Sequence, residues 1–129
     1  MNIFSSIFIY LIKYMDNPRF NEVINEVIQS GASEAEKIEP SINLKLQSSV
    51  QNCFNKNNDN PDKFVTCMTD TQKKVDELNQ SFQFKNLFLG TSIQNCLNAT
   101  NNVEKCKSEG KAMLKNITTT LLKQIEKIW

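Results

Sequence analysis

The chain has 129 residues and a hydrophobic fraction of 40%, enough for one domain with a real core, which sets intrinsic disorder aside. Fifteen Lys and Arg balance fourteen Asp and Glu, and no basic stripe gathers them, so nothing marks a nucleic-acid surface. There is no histidine, which removes the commonest general base and the usual zinc ligand.

The chain opens on an apolar stretch, IFSSIFIYLI at 3–12, carried by Ile3, Phe4, Ile7, Phe8, Ile9, Leu11 and Ile12. Ten residues fall short of the roughly 20 that span a bilayer. No positive charge precedes them and no small-residue cleavage site follows, unlike a secretory leader. The expectation is peripheral contact with a partner or a membrane surface, or upstream sequence ahead of a true start at Met15.

Asp16-Asn17-Pro18 starts a helix, as a capping residue before a proline at the first helical position. Phe20, Val23, Ile24, Val27 and Ile28 follow at helical spacing, and Gly31 is expected to end it. Residues 1–40 thus read as an apolar segment followed by an amphipathic helical arm, closed at Glu39-Pro40.

Ser41 is expected to cap a second helix with Ile42, Leu46, Val50 and Cys53 on one stripe. The segment NKNNDNP at 55–61 then makes a loop, because Asn and Asp side chains bond their own backbone and proline forbids continuation. Asn60 and Pro61 start a third helix whose seam runs through Phe64, Cys67 or Met68, Thr71, Val75, Leu78 and Phe82.

From about Gln83 the pattern repeats. LQSSVQNCFN at 46–55 returns as LGTSIQNCLN at 89–98, identical at six of ten positions. NATNN at 98–102 stands in for the Asn-rich loop, and Val103, Cys106, Gly110, Met113, Ile117, Leu121, Ile125 and Ile128 build the last helix. Gly110 falls on the buried stripe, marking either a close helix approach or a tolerated weakness. Met113 and the phenylalanines lie at core spacing and read as packing. The fold class is all-α. Two disulfide-stapled hairpins, four helices in all, fill 41–129 as repeats 42–80 and 84–128, with the N-terminal arm added.

Four cysteines in a small chain point to disulfides. The gaps between them are 13, 28 and 9 residues, unlike the close CxxC pairs of a four-thiolate metal site, so no metal or other cofactor is expected. If each hairpin carries its own staple, the pairs are Cys53–Cys67 and Cys96–Cys106. If Cys96 and Cys106 instead lay on one unbroken helix, about 15 Å apart, they could bond only to a second helix, as Cys53–Cys106 and Cys67–Cys96. Pro61 and its Asn-rich neighbours favour the local pairs.

The nine-residue gap between Cys96 and Cys106, with Leu89 and Ile93 upstream of it and Leu46 and Val50 upstream of Cys53, resembles the coiled-coil-helix-coiled-coil-helix proteins of the mitochondrial intermembrane space. The resemblance covers residues 42–110; the first pair departs from it with thirteen intervening residues. It implies a small, non-enzymatic, two-disulfide helical protein, imported without a cleaved signal. Its role would be that of an accessory subunit or assembly factor of an inner-membrane, respiratory-chain type complex, with other subunits as partners. The alternative is a secreted stapled helical protein that binds small apolar ligands or surfaces. Two sequons, at Asn98 and Asn116, suit secretion but match what the composition produces by chance. Paired carboxylates such as Glu34/Glu36 and Asp76/Glu77 read as solvated helix surface. Trp129 is a candidate anchor for a partner's pocket.

Overall fold

Among the described residues, three of the four helices begin where an asparagine caps them. In the computed structural model, which describes residues 17–129, Asn17 Oδ1 accepts the N–H groups of Arg19 and Phe20 at 3.0 and 3.4 Å. Asn60 accepts from Lys63 at 3.2 Å and Asn102 from Lys105 at 3.1 Å. Each cap contributes about 1 kcal/mol by satisfying an N–H that has no partner within its helix. The helices are α1 (Pro18–Ala35), α2 (Ile38–Lys56), α3 (Pro61–Thr100) and α4 (Val103–Ile128). The apolar stretch from Ile3 to Ile12 lies outside the described residues.

Helix α3 corrects the expected organisation. A break near 80–84 was expected between the two repeats, yet α3 runs unbroken for 40 residues, about 60 Å. The reason is phase. Thr71, Val75, Leu78, Phe82, Asn86, Leu89, Ile93 and Leu97 are all buried, in steps of three and four that cross 80–84 without slipping. No Gly or Pro interrupts residues 62–89. The two hairpins therefore share one helix, and 38–128 holds three helices rather than four. NATNN likewise continues α3 through Thr100. The reversal needs only Asn101, in the left-handed conformation at φ 51°, and Asn102. The Asn101 N–H donates to the Leu97 carbonyl at 3.0 Å, closing the helix end.

Helix α1 is part of the core rather than an arm. Phe20, Val23 and Val27 are fully buried, and α1 packs more extensively on α4 than on any other element. Gly31 does not end it. A Cβ at Gly31 would run into the Leu114 side chain, and one at Gly110 would lie 2.8 Å from Val27 Cγ2 and 3.2 Å from Ile93 Cδ1. Two glycines thus let α1 and α4 approach closely, one from each helix. The two run parallel, since Glu22 pairs with Lys107 at 3.2 Å and Glu26 with Lys111 at 3.2 Å. The Lys107 side chain is 10% exposed and also reaches Glu26 and Glu104. The Lys111 ammonium, helped by Lys107, holds the Glu26 carboxyl below the usual carboxylate range. The Glu22 carboxylate outweighs partial burial and raises Lys107 above the usual lysine range.

A tight turn joins α1 to α2. Pro40 falls in the first turn of α2, where its missing N–H costs nothing. Ser41 is not the cap; its hydroxyl donates to the Lys37 carbonyl at 2.8 Å. Both α2 and α4 run antiparallel to α3, so α1 and α2 follow one another along it while α4 lies beside them. Lys45 of α2 meets Glu126 of α4 at 3.3 Å. From there α4 has two residues left and α2 eleven, about 16 Å of helix. The end of the α2–α3 hairpin therefore overhangs the third layer. Gly110→Leu is expected to lose about 1–3 kcal/mol in denaturant unfolding, because the added side chain must displace Val27 and Ile93; an unchanged midpoint would show that the two helices are not in close contact.

Candidate functional site

The repeated decapeptide carries the first half of each staple. Cys53 lies in the last turn of α2, four residues before Asn57, whose amide donates to the Cys53 carbonyl at 3.0 Å. The Asn-rich turn reverses the chain, with the Asn60 N–H on the Asn57 carbonyl at 3.1 Å. This brings Cys67, on the second turn of α3, to a Cα–Cα distance of 5.6 Å from Cys53, and the two are bonded. The second copy does the same at the other end of α3. Cys96 bonds Cys106, in the first turn of α4, with Cα atoms 5.7 Å apart. Thr100 sits between them, its hydroxyl on the Cys96 carbonyl at 2.8 Å and 3.7 Å from Cys106 Sγ.

The staples are thus local to each reversal. The crossed pairs, Cys53–Cys106 and Cys67–Cys96, are not made. Cys67 and Cys96 stand 29 residues apart on the single helix α3, about 43 Å, far beyond disulfide reach.

The two copies do not share an environment. In the second, Leu89 and Ile93 are buried between α3 and its neighbours and Cys106 is fully buried. In the first, Leu46 is half-buried and Val50 is exposed, although both were expected on a core stripe. The difference is the overhang: at the first staple no third helix covers the stripe. At its tip the Phe54 and Phe64 rings meet edge to face, 6.4 Å apart.

A second exposed surface lies on the middle of α3. Phe84 is 64% exposed, Phe88 62% and Leu87 37%, one turn of helix facing outward. The phenylalanines do not all pack, then: Phe82 enters the core while Phe84 and Phe88 leave it. The signal was present in the sequence. The stripe through Leu78, Phe82, Leu89 and Ile93 occupies one side of the helix, and residues 84, 87 and 88 fall on the other.

Trp129, expected to anchor in a partner, is half-buried and packs against the chain's own core. Of the carboxylate pairs, Glu34 binds Lys37 at 3.2 Å and Asp76 accepts from Gln72 at 3.0 Å, while Glu36 and Glu77 are exposed. Among the described residues no three His, Cys, Asp or Glu side chains are grouped to hold a metal, and no helix is long and apolar enough to cross a membrane. A hollow beside the second staple, lined by Ile93, Cys96, Cys106 and Met113, measures about 20 Å³, room for a water molecule. A larger groove along α4 is open, with Leu122 and Thr119 in it and Glu34, Lys123, Glu126 and Lys127 around it.

No family model, no curated protein and no solved structure matches this chain.

The Cys96–Cys106 staple closes a short loop, for which the chain-entropy estimate is about 3 kcal/mol. Replacing both cysteines with alanine is expected to lower the stability of the whole domain by that amount in chemical unfolding. An unchanged midpoint would mean that the staple contributes nothing to the fold.

Proposed function

We propose that this chain is a non-enzymatic interaction protein of an oxidising compartment that binds an amphipathic helix of a partner protein along the free face of α3. The observation that carries this reading is the cluster of Phe84, Leu87 and Phe88. Three large apolar side chains at positions i, i+3 and i+4 stand out from a helix whose other sides already hold α1, α2 and α4. They expose on the order of 300 Å², the size of patch that on small proteins is often the functional one. That area is well below the roughly 800 Å² per partner of a stable stand-alone interface, which favours contact within a larger assembly over a lone dimer. A stripe of this spacing fits the apolar face of a helix laid alongside. Around it on the same side of α3 lie the uncharged Gln80, Thr91 and Asn95 together with Glu77 and Lys85, a polar rim about an apolar centre as at a protein interface.

Two disulfides support an oxidising compartment. Pairing within each hairpin supports the secretory route over the intermembrane space, because the crossed pairing that would have favoured the latter is absent. For the small-ligand alternative, neither the water-sized hollow nor the open groove along α4 encloses a ligand.

Phe84→Glu with Phe88→Glu is expected to leave melting unchanged, since both side chains are exposed, and to release the chain from its assembly in the natural source. The readout is co-sedimentation together with cross-links from Lys85, beside the patch. Cross-links to one partner helix, lost in the double variant, support the reading. Retained association would sink it, as would cross-links only to a second copy or to the chain's own Lys13.

A further inference from the structure

We infer that the Cys53–Cys67 bond is a redox-labile clasp, whose reduction releases the overhanging tip of the α2–α3 hairpin while the remainder of the domain stays folded. The two staples differ in what surrounds them. Cys106 belongs to the main hydrophobic core, and Cys96 packs against it. Each staple joins a buried cysteine to a half-exposed one, but Cys53 and Cys67 both lie outside that core.

The overhang explains the difference. Counting eight residues back from Cys53 and eight on from Cys67 sets Lys45 opposite Val75. Beyond that level α4 has all but ended, since Lys45 already meets Glu126. Residues 46–56 and 61–74 are then two helices with no third. Of their side chains only Cys53 and Thr71 are buried, whereas Val50, Phe54 and Val65 are exposed. Without the cross-link little holds the end of α2 on α3, and the first turns of α3, covered only by that end, are left to fray. At the other end, Leu97, Ile93 and Phe20 keep α1, α3 and α4 packed whether or not the sulfurs are joined. Thiols held side by side by a core re-form their bond; thiols on a frayed tip part.

The chemistry is thiol–disulfide exchange with a small-molecule thiol such as glutathione. Its thiolate attacks the half-exposed Cys67 sulfur, the S–S bond breaks, and Cys53 leaves as thiolate and takes a proton. A second thiol attacks the mixed disulfide, freeing Cys67 as thiol. The protein disulfide is reduced to two thiols, and two glutathione molecules are oxidised to one glutathione disulfide. The consequence is a conformational switch: the Phe54–Phe64 contact separates and the helical order of the tip is lost, while the Phe84 face of α3 is untouched.

The test equilibrates the full chain in glutathione buffers of rising reducing strength. Free thiols are then alkylated, and peptide mapping is combined with amide hydrogen exchange. Cys53 and Cys67 are expected to become labelled at a [GSH]²/[GSSG] at least about tenfold lower than Cys96 and Cys106. Protection should fall over 46–56 and 61–74 and persist over 84–121. A Cys53→Ala/Cys67→Ala variant should show the same unprotected tip without reductant. Bridges that open together or in the reverse order would overturn the inference, as would a tip that stays protected in the variant.

Discussion

The buried stripe on α3 is the constraint on which the rest of the fold depends. Every other helix packs on α3, whose buried row runs from Thr71 to Leu97. A row in constant phase over this length keeps the helix continuous through the seam of the sequence repeat. The reversals at either end are then separated by almost the whole molecule, and each needs its own staple. Local pairing of the cysteines follows from the length of α3 as much as from the loops.

The second constraint is unequal cover. Helix α1 reaches α4 closely through Gly31 and Gly110, and the ion pairs of Lys107 and Lys111 with Glu22 and Glu26 fix their register along the edge. That end has three layers, with Phe20, Val27, Ile93 and Leu114 closed off from water. The other end has two layers and a disulfide in place of a core. The same ten residues therefore do different work in each copy. Around Cys96 they fill a core, and around Cys53 they hold the tip of a hairpin. Asn86, fully buried in the middle of α3, is the one member of the stripe that packing alone does not explain.

Local signals in the sequence were legible. Asn17 and Asn60, each ahead of a proline, capped the helices assigned to them, and the all-helical class followed from the spacing of apolar residues. Two of the misreadings turned on a neighbour that no short window contains. Gly31 looked like a helix end because glycine is a common stop; only the Leu114 side chain shows it to be a contact. Val50 and Ile93 are equivalent in the repeat, yet one is exposed and one buried, because α4 ends before it reaches Val50. The break near 80–84 was assumed because the repeat restarts there, although apolar phase, and not sequence similarity, decides whether a helix continues. The Phe84 face is written in the sequence as apolar residues on two sides of one helix, although phenylalanine at helical spacing is ordinarily core.

The reading of this chain as a stapled scaffold with an interaction face depends on α3 being one rigid rod. The most direct measurement is the distance between spin labels attached by a non-cysteine chemistry at Thr69 and Asn95, both exposed on α3 and 26 residues apart. An unbroken helix predicts a narrow distribution centred near 39 Å. A distribution centred well below about 30 Å, or a broad one, would mean that the chain folds back between the repeats as two separate hairpins, and would contradict the account.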